Sequence, residues 1–214
     1  LLFAYFERHL ARAVDVMARG LDVHMRHMGE VFPELVIDLL CHGTIEKGLD
    51  AAAGGVEFVN LCVDGAALAT VADSFAAIEQ RVEREHRLDW AQLVALLDDD
   101  WAGPEGERLR QLMRTSARFG SGGSMADRWA QRVAEAFTAL VGGRRTPDGW
   151  RMIPGFFSGA LVYAMGRELG ATPNGRRAKD PISHGPNPHP GFRRDGAATA
   201  LAAAVAGVQP GWGN

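Results

Sequence analysis

Phe3, Phe6, Leu10, Val14, Met17, Leu21, Met25 and Met28 recur at spacings of three and four. That rhythm puts all of them on one stripe of a long amphipathic α-helix and fits no strand. The stripe reads as packing surface, not as a methionine-based cofactor site. Pro33 stands at a helix start, Leu35, Val36, Leu39 and Leu40 continue the helical pattern, and Gly48 is placed to stop it, which predicts a second helix over Pro33 to Lys47. Val56 to Val63 is rich in β-branched and aromatic residues without helical spacing and is predicted to be a buried strand. Leu68, Val71, Phe75, Ile78 and Val82 return to helix spacing. Asp89 is placed to cap a helix beginning at Trp90, Pro104 to open one through Leu109, Leu112 and Met113, and Ser124 with Asp127 to form a capping box before Trp129, Val133, Phe137 and Leu140. The first two thirds are therefore mainly helical. From Arg144 glycine and proline become dense, Ile153 to Met165 is the one strand-like stretch, and Gly170 to Gly196 reads as a long loop of the kind that carries function.

The chain has 214 residues, a formal charge of −3 and 47% hydrophobic residues, which describes a globular α/β protein able to build a core. This balance excludes a polybasic nucleic-acid arm and a disordered tail. Cys41 and Cys62 are too few for a disulfide scaffold and lack zinc spacing, which favours a reducing cytoplasm. The uncharged run Gly196 to Val208 falls short of the ~20 residues that cross a bilayer, so no membrane partner is expected. The chain starts Leu1-Leu2-Phe3, and the expectation is an internal part of something longer.

Chemistry-bearing side chains are scattered. His24 and His27 lie three apart on a helix but lack a third ligand in register, so they read as a solvated face and no metal is expected. Cys41-His42 cannot pair easily, because adjacent helical residues point ~100° apart, and a buried structural cysteine is the better reading. Asp98-Asp99-Asp100 reads as a solvated charge run. Arg144-Arg145, Arg176-Arg177 and Arg193-Arg194 sit in Gly-rich segments, as surface or loop-anchoring arginines rather than phosphate grips, since no phosphate-binding glycine motif accompanies them. The residues alone give no self-contained catalytic set.

Four stretches, in order, resemble the glycyl radical enzymes of the pyruvate formate-lyase type: Thr44 to Asp50 (TIEKGLD) with Gly54-Gly55; Ala69 to Ile78 (ATVADSFAAI); Arg118-Phe119-Gly120 with Asp127; and Gly170 to Ala178 (GATPNGRRA), continuing through Pro181 to Pro188. Gly196 to Leu201 (GAATAL) is similar to a further family segment. The resemblance implies a ten-stranded α/β barrel of which residues 1–214 are an internal part. It implies a radical stored on a glycine, installed by a radical S-adenosylmethionine activating enzyme and passed to a cysteine that attacks a small-molecule substrate. The family's cysteine motif, GCxE, and its glycine motif, RVxGY, are absent from this sequence, so Cys41 and Cys62 take no thiyl role and no catalytic residue is assigned.

The resemblance also implies that Pro154 to Ala160 lines the substrate pocket, with Phe156, Phe157 and Asp64 as wall residues. Phe157 stands where many members place a tyrosine, and a phenyl ring removes a hydroxyl donor. Departures at Phe58-Val59, Asp64 and Ser121-Gly122-Gly123 mark a divergent member. Asp73, Asn174, Gly175 and Arg176 are expected to be structural and loop-supporting, with Asn174-Gly175 able to supply a positive φ. The expected parent is a cytoplasmic, anaerobic enzyme of the formate acetyltransferase, dehydratase or lyase group, cleaving a C–C, C–O or C–N bond. No cofactor is expected on this segment, and a homodimer is compatible. The rival readings are a paralogue without radical chemistry and a helical scaffold whose arginine-rich loops bind an acidic partner. The chain alone is expected to fold poorly, because part of a barrel exposes apolar strand edges.

Overall fold

The structure, a computed structural model, describes residues 1–157 and 159–189 together with Ala198, Leu201, Ala202, Val205 and Val208. It is mostly helical with one two-stranded sheet, and it divides into two compact units. The first comprises residues 1–63 and 137–155, the second residues 64–136 and the described residues from 156 onward.

In the first unit, α1 (Leu2–Val31) follows the apolar stripe, burying Phe3, Val14 and Met25, while Met17 stays 45% exposed. The 144–150 segment is fastened to α1 through its polar side chains. Arg26 donates twice to the Asp148 carboxylate, at 2.6 and 2.7 Å, and Arg144 reaches Asp15 at 3.0 Å. The buried Asp22 carboxylate accepts the Asp148 N–H at 3.1 Å.

The single helix expected over Pro33 to Lys47 is two short ones, α2 (Leu35–Asp38) and α3 (Thr44–Lys47). Gly43 between them has φ +100°, a left-handed conformation incompatible with a continuous helix. The break is held by polar bonds: the Thr44 hydroxyl bonds the carbonyls of Asp38 and Cys41, and the Asp38 carboxylate accepts the Ala51 N–H at 2.8 Å. Apolar periodicity in this stretch does not correspond to burial. Leu35, Val36, Leu39 and Leu40 are 69–82% exposed.

Strand β1 is Leu61–Gly65, later than the expected Val56 to Val63, and pairs with β2 (Met152–Phe156). The second expected strand, Ile153 to Met165, is strand only as far as Phe156, and Leu161–Arg167 is helix α8. Glycine and serine at residues 155–159 interrupt the apolar run that suggested a longer strand.

The second unit starts with α4 (Leu68–Ala77), which runs into a π-helical segment, Ile78–Arg84. It continues through α5 (Trp90–Asp98) and α6 (Gly103–Arg114); α7 (Met125–Val141) begins here. The caps are where the sequence placed them. Asp89 accepts the Gln92 N–H at 2.8 Å while Gln92 returns a carbonyl to the Asp89 N–H at 2.9 Å. The Ser124 hydroxyl accepts the Asp127 N–H at 3.2 Å, and the Asp127 carboxylate accepts the Ser124 N–H at 2.8 Å. The core gathers Ala77, Ile78, Val82, Leu88, Leu93, Trp101 and Met113. Among the described residues no helix is long and apolar enough to cross a membrane.

Candidate functional site

Asp73 is 1% exposed on α4, a position where an ionised carboxylate is tolerated only with partners. It has two: the Phe119 N–H donates at 2.8 Å and Arg118 Nη1 at 3.0 Å. Arg118 extends the network, donating from Nη2 to the Asn174 carbonyl at 2.8 Å and the Arg114 carbonyl at 2.9 Å. One residue along α4, Ser74 gives its proton to the Thr70 carbonyl at 2.6 Å and accepts the Asn174 N–H at 3.3 Å. Asp127 accepts the Gly120 N–H at 2.7 Å. The stretches around Asp73, Arg118 and Asn174, far apart in sequence, are thus one bonded cluster within the second unit.

The loop from residue 170 is tied down from several sides. Gly175 has φ +85°, and a Cβ there would stand 3.0 Å from the Arg110 carbonyl and collide with the Arg114 side chain, so only glycine fits. Arg110 donates to the Gly175 carbonyl at 3.0 Å. Arg176, 7% exposed, donates to the carbonyls of Asp180, at 2.6 Å, and Gly170. Arg177 reaches the Asp100 carbonyl at 2.8 Å and Glu107 at 2.7 Å. The Asp100 carboxylate accepts the Ala178 N–H at 2.7 Å, so Asp100 is a loop anchor and not part of a merely solvated run. Ser183 exchanges bonds with Thr70: its N–H donates to Thr70 Oγ1 and its hydroxyl accepts the Thr70 N–H, both at 3.0 Å.

His189 closes the cluster, with Nε2 3.1 Å from Thr70 Oγ1 and 3.3 Å from Asn174 Nδ2. Asn174 Oδ1 is occupied by the Thr172 hydroxyl at 2.7 Å and the Arg176 N–H at 3.2 Å, so the amide nitrogen faces the imidazole and Nε2 accepts. Burial pushes the imidazole down to about 4, and the nearby Arg118 and Arg176 charges push the same way; His189 is neutral at pH 7. Burial pushes the Asp73 carboxyl up to about 6 against the opposing pull of Arg118. Sequence reasoning missed His189 and gave Arg118 no role. Arg118 lies beside Phe119-Gly120 in a quoted stretch, whereas His189 carried no local signal.

Arg110, Arg114, Arg118 and Arg176 line a cavity of about 810 Å³ with Ser121, Asn174, Asp180 and His189. The bonds of this cluster hold a loop in place.

The expected pocket-wall residues lie elsewhere in the chain. Phe156, at the end of β2, is buried, and Phe157 just beyond it is 48% exposed, its ring covering Gly159, where a Cβ would come within 2.7 Å of Cε1. Asp64 is exposed on β1. His24, His27 and His42 are exposed, and Cys41 is half-buried, not buried as expected. Arg145 donates to the Gly149 carbonyl at 2.8 Å. Arg193, Arg194 and Gly196 lie outside the described residues.

Comparison with known proteins adds a second line of evidence. The family described as pyruvate formate lyase-like matches residues 2–165. The chain is 28% identical over 176 residues to (2S)-3-sulfopropanediol dehydratase of Klebsiella oxytoca, covering 81% of this chain and 21% of that protein. It is 27% identical over 195 residues to trans-4-hydroxy-L-proline dehydratase of Clostridioides difficile, covering 91% of this chain and 25% of the relative. The crystal structure of hydroxyproline dehydratase from Clostridioides difficile, with trans-4-hydroxy-L-proline bound, superposes with a TM-score of 0.85 at 26% identity, over 98% of this chain and 26% of that one. The chain therefore spans a fifth to a quarter of the length of these relatives.

Proposed function

Because the chain belongs to the pyruvate formate lyase-like family of glycyl radical enzymes, we propose that it is the internal, loop-anchoring part of an enzyme that cleaves a bond in a small organic substrate by radical chemistry. The observation that carries this reading is convergence: stretches that resemble the family at Asp73, Arg118 and Asn174–Arg176 form one buried network. Within the group, elimination chemistry is favoured over formate acetyl transfer, since the relatives quoted above are dehydratases.

In this reading residues 1–214 are part of a ten-stranded α/β barrel in a cytoplasmic protein, and the radical glycine and thiyl cysteine lie elsewhere in the parent polypeptide. A radical S-adenosylmethionine enzyme supplies the radical. Phe156, Phe157 and Asp64 contribute to the substrate wall, and Phe157 disfavours a substrate that needs a phenolic hydroxyl at that point. Asp73, Asn174, Gly175 and Arg176 fix the loop, so that neighbouring chain is held in one position and water is kept out.

The coding sequence on both sides of this segment tests the reading. An in-frame GCxE upstream and RVxGY downstream are expected. An intact frame lacking either motif overturns it.

A further inference from the structure

The cavity beside the 172–176 loop carries more positive charge than its neighbours neutralise. Arg118 is paired with Asp73, and Arg110 with Glu107 at 2.8 Å. The Arg110 hydrogen bonds and charge, with Gln111 and Arg177 assisting, hold Glu107 down at about 2, so that pair stays ionised. Two arginines remain. Arg114, which is exposed and lines the cavity, makes no side-chain hydrogen bond or ion pair among the described residues. Arg176 is buried, spends two N–H groups on backbone carbonyls, has no carboxylate within ion-pairing distance, and leaves its Nε without a hydrogen-bond partner among the described residues. Asp180, which lines the same cavity, and Asp100 offset part of its charge. His189, which also lines the cavity, is neutral at pH 7 and adds no charge.

A buried guanidinium with an unused donor is costly unless something accepts from it. An exposed Arg114 and a buried Arg176 without a paired carboxylate outweigh the Asp180 that also lines this polar cavity, and guanidinium donors suit an oxyanion. The volume, about 810 Å³, is within the range of small-molecule sites and larger than the anion alone, leaving room for a substituent. We propose that this cavity binds a small dianionic oxyanion of the phosphate or phosphomonoester class, with Arg114 and Arg176 as its charge partners and the Ser121 hydroxyl as a further donor. The inference does not depend on the radical reading; it stands on the arrangement of arginines.

Phosphorus-31 NMR titration of the full-length protein with inorganic phosphate, at constant ionic strength, tests it. Saturable binding is expected, strengthening as pH rises from about 6 to 8, where phosphate gains its second charge. Arg114→Gln, which touches no structural bond, should weaken binding about tenfold, the scale of one charge-assisted contact. Ser121→Ala should weaken it by less, and Arg108→Gln, on the same helix but outside the cavity, should leave it unchanged. Absence of saturable binding by the wild type, or binding unaltered in Arg114→Gln, overturns the proposal.

Discussion

Replacing Asp73 by alanine removes the one carboxylate that joins α4 to the Arg118 turn. The Phe119 N–H, in a buried position, loses its acceptor among the described residues, at about 1–3 kcal/mol. Arg118, whose side chain is 12% exposed, keeps its carbonyl partners and loses its counter-ion. Breaking a buried pair from one side costs about 3–5 kcal/mol, and retention of the Arg118 carbonyl bonds places this case at the low end, about 3 kcal/mol at pH 7. Because the protein belongs to a family of much longer chains, a local readout is preferable to global unfolding. Hydrogen exchange followed by mass spectrometry on peptides covering 117–120 and 172–177 should show protection falling about a hundredfold, the equivalent of that energy.

The pH dependence adds a sign. Asp73 has a folded value of about 6, above its ordinary 3.8, so the native state holds more protons between these values. The proton-linked part of its contribution, which adds to that of the ionised pair, is full below about 3.8 and is lost as pH rises through 6. The wild-type advantage over Asp73→Ala should therefore widen, by up to about 3 kcal/mol, as pH falls from 6 toward 4. Protection in the variant within about threefold of wild type at pH 7, or an advantage that narrows toward pH 4, would refute the assignment.

Three further outcomes are expected. His189 titrates in nearly the same window with the opposite sign: its folded value of about 4 lies below the ordinary 6.5, so its contribution is present above 6.5 and lost as pH falls toward 4. His189→Gln should thus uncover the Asp73 dependence, and loop protection in that variant should rise from pH 6.5 to pH 4.5; a flat profile would contradict it. Gly175→Ala combines a left-handed φ with contacts to Arg110 and Arg114, and should destabilise the loop by about 2–4 kcal/mol, read as faster exchange in 172–177 with other peptides unchanged. Expressed alone, residues 1–214 should associate through Val31, Phe32, Val36, Leu40 and Phe58, each at least 69% exposed; a monodisperse monomer with a sharp thermal transition in light scattering and calorimetry would count against this.

Local chemistry was the legible part of this chain. The α1 stripe, the Asp89 and Ser124 caps and the proline that opens α6 each depend on residues within one or two turns of each other, and each is present. Two kinds of feature escaped. Leu35 to Leu40 has helical periodicity without a buried face, so periodicity overstated the helix until Gly43 broke it. The bonds of the cluster join residues 70 to 183 and 73 to 118, and no local pattern encodes a pairing that tertiary packing alone creates. Asp100 shows the same limit: three consecutive carboxylates look solvated until the loop over 177–178 is brought to the third. The family resemblance supplied Asp73, Asn174, Gly175 and Arg176 as loop-supporting residues, but the partners each one bonds are read only from distances.

Electron paramagnetic resonance of the full-length protein, after anaerobic incubation with a radical S-adenosylmethionine activating enzyme, is the decisive test of the proposed radical chemistry. The account predicts a carbon-centred glycyl signal, split by the remaining α-hydrogen and abolished by oxygen. A protein that stays silent, while the same preparation activates a known member of the family, would contradict it.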